Sequence, residues 1–230
     1  MFRTFFYITL FLIFTTKTAN SQVNLVYNGD FEIYDTCPPN YSQPGGFDYV
    51  RYCLGWYSAM YFTTPDYLNE CGSSNTIGVP INGMGYQEAK SGVGYCGLIA
   101  YGIEPAYGRN WWEYIQTRLM IPLKNGTQYK VSFYVSLAER SSWAVKHLGI
   151  YISSDSLYRS GWDWYPFNVS PQIQADFFIT DTMNWVMISG IYTATGNEKF
   201  LTIGHFADTF GNSAQTGPVI PRQSGPLFPR

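Results

Sequence analysis

The chain has 230 residues, 14 Lys and Arg against 16 Asp and Glu, a net charge of −2, and only 13% charged residues. That balance excludes nucleic-acid binding driven by a basic field and the charge-rich, apolar-poor composition of a disordered chain. The 20 Tyr, 16 Phe and 7 Trp raise aromatics to 19%, and with 22 Gly and 13 Pro they point to an all-β domain with many turns.

The first element is an export signal. Arg3 is followed by the apolar run from Phe5 to Phe14, too short to span a bilayer and the right length for a signal-peptide core. Ala19-Asn20-Ser21 places small residues at the positions a signal peptidase reads, so residues 1–21 are expected to be removed before Gln22. Arg3 and Lys17 leave with that segment, and the mature charge becomes −4. No Cys stands at the cleavage site to carry a lipid, and no later stretch reads as a transmembrane segment. The expected location is the periplasm, the outer cell surface or the extracellular space.

Cys37, Cys53, Cys71 and Cys96 all lie in the first half of the chain. An even number of cysteines in an exported protein reads as two disulfides, with three pairings open. Their spacing is not that of a zinc site. Residues 34–92 are rich in Gly, Pro, Asn, Ser and Tyr and read as long loops stapled by these bridges.

Beyond Gly94 the texture changes to period two. Tyr129, Val131, Phe133, Val135 and Leu137 alternate with Lys130, Ser132, Tyr134 and Ser136, which predicts a half-buried strand, and Asn125-Gly126 supplies a turn before it. Further strands are predicted at 95–101, 112–119, 148–153, 185–193 and 200–206. Short strands at this spacing make a sandwich of antiparallel sheets over residues 22–206. Residues 207–230 carry Gly211, Gly217, Gly225, Pro218, Pro221, Pro226 and Pro229, and are expected to form a disordered or loosely draped tail, because Pro lacks the ladder donor.

Several of these segments, taken in order, resemble a known group. Asn24 to Glu32 (NLVYNGDFE) resembles the opening strand of CenC-like, carbohydrate-binding domains with a galactose-binding-like jelly roll. Leu123 to Val135 (LKNGTQYKVSFYV) is similar to that group's hairpin, and Trp185 to Gly204 to its later strand pair. Thr64 to Cys71 (TPDYLNEC) and Gly85 to Ala89 (GYQEA) resemble a narrower set of exported Bacteroidetes proteins. In that set the domain often precedes an OmpA-like peptidoglycan-binding domain or a secretion-sorting domain. The resemblance implies a jelly-roll β-sandwich and a carbohydrate ligand. It also implies a structural Ca²⁺ near Glu32, completed by backbone carbonyls and a C-terminal Asp. The group's closing strand, Ile-Asp-Asp-Val-like, is missing after Phe206, which suggests a truncated or frameshifted version of a longer ancestor.

The chemistry follows from the inventory. His147 and His205 are far apart and sit inside expected strands, where a structural role suits them better than a general base. Gly92-Val93-Gly94-Tyr95-Cys96-Gly97 fits GxGxxG in letters but enters a strand rather than leaving one for a helix, so it cannot present a helix N-terminus to phosphate. A glycosidase needs two carboxylates facing across a cleft, and Glu113, Glu139 and Asp163 are the acids available. Asp30 and Glu32, two apart on the expected opening strand, would point the same way and offer hard oxygens to Ca²⁺.

The aromatics carry the functional expectation. Trp111, Trp112, Trp143, Trp162 and Trp164 are candidates for a surface that stacks on sugar faces, and Gln116, on the side of Trp112, for a hydrogen bond to the ligand. Trp56 and Trp185 are expected in the core. The expected function is a non-catalytic module binding a polysaccharide or envelope glycan. A structural or adhesive surface scaffold is the competing reading, and a glycoside hydrolase the third.

Overall fold

Residues 23–43, 48–104, 109–161, 165–206 and 214–216 are described here from a computed structural model. A 3₁₀ turn at Tyr49–Tyr52 precedes β1 (Trp56–Ser58), β2 (Asp66–Asn69), β3 (Ile81–Asn82), β4 (Gly85–Tyr86) and β5 (Gly94–Gly97). Next come β6 (Gly102–Glu104), β7 (Arg109–Trp111), β8 (Tyr114–Arg118), β9 (Gln128–Val135) and β10 (Trp143–Val145). β11 (Leu148–Ser153), β12 (Ile173–Gln174), β13 (Val186–Thr193), β14 (Phe200–His205) and β15 (Ala214–Thr216) complete the set. Among the described residues no α-helix occurs, and none is long and apolar enough to cross a membrane.

A five-stranded antiparallel sheet runs in the order β1-β8-β14-β11-β12, and β9 pairs with β13 as a second layer. The two layers differ in their exposure to water. Along β9 every second residue is exposed, as the alternation in its sequence requires, and Val131 and Phe133 turn onto the core. Along β8 four consecutive residues, Tyr114 to Thr117, are buried, so this sheet is covered on both faces. Ile115, Ile150, Leu201 and Ile203 pack beneath β9, and each such side chain contributes about 1.5–3 kcal/mol by leaving water. Tyr114 instead meets Phe167 at 4.9 Å and Phe206 at 5.1 Å between ring centroids. The loop that carries Phe167 therefore roofs the far face.

β8 pairs with β14, and β9 with β13, so the chain winds as one antiparallel ribbon that folds from one layer to the other. The two connections travel together at the corner: Leu119 N–H donates to Lys199 O at 2.7 Å, Leu123 N–H to Glu198 O at 2.9 Å, and Gly126 N–H to Ala194 O at 2.8 Å. Gly126 takes the left-handed conformation (φ 73°) that its Asn-Gly turn needs, yet the turn joins the two layers rather than neighbouring strands of one hairpin. Glu198 braces the corner. Burial alone would raise its carboxyl, but the hydroxyl of Tyr192 and the hydroxyl and N–H of Thr195 hold it down at about 2.

Three expectations are corrected. The stretch 24–32 is not a strand; its one ladder pairing with the sheet is the bridge between Val26 and Leu119, and Asn28 (φ 51°) and Phe31 (φ 63°) turn the chain back. The cause is the Asn28 amide, which accepts from Ile33 N–H at 2.8 Å and donates to Ile33 O at 2.7 Å and Leu54 O at 2.9 Å. Of the four cysteines, only Cys37 and Cys71 are bridged, with Cα atoms 5.8 Å apart. Cys53 and Cys96 are free thiols. They lie side by side in hydrogen-bonding contact, and the Asn28 amide donates to the Cys53 sulfur at 3.2 Å. Last, Ala214–Thr216 form β15 and pair with β10, within the segment expected to be a loose tail. The rest of that tail lies outside the described residues.

Candidate functional site

The residues nominated from sequence take different places. Trp111 and Trp112 are buried, 8% and 4% exposed, and each indole N–H is already used, by Glu113 Oε1 at 2.9 Å and by His205 Nδ1 at 3.2 Å. Gln116 is fully buried; its amide accepts from Leu157 N–H and the Thr202 hydroxyl, both at 2.9 Å, and donates to Leu157 O at 3.1 Å. These three side chains are internal fasteners and leave no group facing solvent for a ligand. Trp143 is half-buried, with its ring edge-on to Tyr101 at 5.6 Å. Trp162 and Trp164 lie outside the described residues, as does Asp163. Trp56 is in the core as expected, whereas Trp185 is only half-buried, edge-on to Tyr95 and donating to Glu88 O at 2.8 Å.

The acids follow the same pattern. Glu113 is 1% exposed, and its carboxylate accepts from Thr64 N–H and hydroxyl, Trp111 Nε1 and Ile99 N–H. Burial pushes its carboxyl above the ordinary range, although these donors pull the other way. Asp66, near it, is raised to about 7 by burial, with the Glu113 charge adding to the effect. Glu139 accepts from Tyr86 N–H at 3.0 Å. Glu113 and Glu139, the two acids nominated for hydrolysis among the described residues, thus both anchor backbone N–H groups.

Asp30 is exposed, and the turn at Phe31 separates it from Glu32, whose two oxygens accept from Val93 N–H and Gly94 N–H at 3.0–3.1 Å. The oxygens that Ca²⁺ would need are occupied by backbone donors. Among the described residues no group of three or more His, Cys, Asp or Glu gathers to hold a metal. The Asp30–Glu32 pair does not fit a calcium shell.

Exposed rings lie elsewhere, on the segments around Met60 and Arg159. The loop at Met60 forms a parallel bridge with Arg159, closed by Tyr61 N–H to Arg159 O at 2.9 Å and Arg159 N–H to Ala59 O at 3.0 Å. Tyr61, 45% exposed, and Tyr158, 60% exposed, flank this bridge on its two segments. The Arg159 guanidinium lies 4.7 Å from the Phe167 ring and donates to the carbonyl of Tyr165, which is 74% exposed. Three exposed tyrosines thus stand on segments that Arg159 ties together, each apolar across its ring and polar at its hydroxyl. Sequence reasoning passed over them because it weighted Trp; the signal present was the density of Tyr and Arg at 158–165, next to Trp162 and Trp164.

Comparison with protein families, with characterised proteins and with solved structures finds no match for this chain.

Proposed function

We propose that the protein is an exported, non-catalytic binding module of jelly-roll type that holds a polysaccharide or envelope glycan on the tyrosine surface. The observation that carries this reading is the exposure of Tyr61, Tyr158 and Tyr165 on segments joined by the Met60–Arg159 bridge and the Arg159 bond to Tyr165 O. Rings held on a rigid support stack on the apolar faces of sugars with little ordering cost, and tyrosine hydroxyls with an arginine supply polar contacts at the edge. The antiparallel ribbon formed by β8–β9 and β13–β14, which passes from one layer to the other, supports the jelly-roll part of the proposal. The signal-like N-terminus and the Cys37–Cys71 bridge support an oxidising, extracytoplasmic location.

The test is a glycan array and a peptidoglycan pull-down with the full chain and with a Y158A/Y165A variant. Retention of a polysaccharide that weakens roughly tenfold or more in the variant supports the proposal. A folded protein that retains no glycan favours the second reading, a structural or adhesive scaffold, for which the inward packing of Trp111 and Trp112 speaks.

A further inference from the structure

A second site lies at the corner where the ribbon changes layers. There an open cleft of about 360 Å³ is lined by Tyr27, Gly55, Arg118, Leu119, Met120 and Lys199. Tyr27 makes one wall. Gly55 has φ 89°, and a Cβ on it would stand 2.6 Å from the Tyr27 ring, so the ring rests directly on bare backbone. The ring is nonetheless 40% exposed. Arg118 ends β8 and Lys199 immediately precedes β14, where Leu119 N–H donates to Lys199 O at 2.7 Å, and both cations line the cleft.

Arg51 pairs with Asp48, Arg140 donates to Gly83 O, and Lys90, Lys146 and Arg159 lie over aromatic rings. Among the described residues no carboxylate pairs with Arg118 or Lys199. The adjacent Glu198 has its carboxylate turned into the corner, where Tyr192, Thr195 and Gly196 take both oxygens. In a chain with more acids than bases, two cations and an aromatic ring lining one cleft form a receptor for an oxyanion attached to an apolar body.

We propose that this cleft binds the carboxylate of an acidic sugar residue, with the oxyanion between Arg118 and Lys199 and the sugar ring against Tyr27. The assignment of a sugar rests on the carbohydrate reading above; the assignment of an anion rests on the two cations alone. The cleft makes the protein selective for uronate-bearing glycan over its neutral counterpart.

The experiment is a titration of the full chain with oligogalacturonate, with the neutral galactose oligosaccharide of equal length, and with inorganic phosphate. It is repeated for R118Q/K199Q and for Y27A, with circular dichroism confirming the fold. The expected result is roughly tenfold tighter binding of the acidic oligosaccharide. That preference falls with added salt and vanishes in R118Q/K199Q, and Y27A weakens the oligosaccharide but not phosphate. Equal affinity for acidic and neutral saccharides, or a preference that survives R118Q/K199Q, overturns the cleft proposal and leaves the tyrosine surface standing. Binding of phosphate without any acidic saccharide overturns the sugar assignment. Failure of the folded chain to bind any saccharide, neutral or acidic, overturns both readings.

Discussion

The indole N–H of Trp112 donates to Nδ1 of His205 at 3.2 Å, joining the approach to β8 with the last residue of β14. Accepting that bond puts the proton of neutral imidazole on Nε2. Burial, with the His147 ring adding to it, holds His205 down at about 4. A charged His205 would have a donor at Nδ1 facing another donor, so the core depends on the neutral form.

That dependence has a sign. An unfolded His binds its proton near 6.5, and the folded one only near 4, so the contribution of His205 is complete above pH 6.5 and is lost as pH falls towards 4. Asp66 works in the opposite sense: its folded carboxyl keeps a proton up to about 7 while the unfolded one ionises near 3.8, so stability falls as pH rises through that interval. Measured by urea unfolding at several pH values, D66N should gain on the wild type as pH rises from 4 to 7, and H205Q should lose on it from 4 to 6.5. Parallel curves for either variant and the wild type would remove the corresponding assignment.

Gln116 joins β8 to Leu157 and to Thr202 on β14 through three hydrogen bonds from one buried amide. Truncation to Ala leaves the Leu157 N–H and the Thr202 hydroxyl without their partner in the interior. Q116A is expected to cost about 2–4 kcal/mol in unfolding free energy. Thr202→Val, which removes one donor and leaves Gln116 its two bonds to Leu157, should cost less.

The cysteines give a count. Titration with a thiol reagent in denaturant should find two thiols before reduction and four after, because only Cys37 and Cys71 are bridged. In the folded protein the Cys96 thiol should react slowly, since burial pushes its pKa well above the ordinary value and the Cys53 thiol beside it adds to the effect.

The Cys37–Cys71 bridge closes a separation of 34 residues. Constraining a loop of that length in the unfolded chain is worth on the order of 4 kcal/mol. C37A/C71A should therefore unfold at distinctly lower urea concentration, with β8, β11 and β14 retaining their pairing in hydrogen exchange at low denaturant.

The strands were legible both where one face meets water and where a short apolar run is buried on both faces. The alternation from Tyr129 to Leu137 marked β9, and the apolar runs at 148–153 and 200–206 marked β11 and β14. What misled was chemistry supplied from a distance. Asn28 reads as part of a strand until its amide is seen bonded to Leu54 O, and Trp111 and Trp112 read as a surface pair until Glu113 and His205 are seen receiving their N–H groups. Glu32 reads as a metal ligand until Val93 and Gly94, far along the chain, occupy it. The exposed tyrosines were hidden for the same reason, because the segments of Tyr61 and Tyr158 come together only through the bridge between Met60 and Arg159.

The pairing of β8 with β14 has a consequence for biosynthesis. Gln116 and Thr202 are separated by 86 positions, which at ordinary ribosomal rates amounts to roughly 4–17 s of elongation. Through that delay β8 can lean on β1 along one edge only, and the opposite edge, with Tyr114 and Ile115 uncovered, is a natural point of attachment for a holding chaperone.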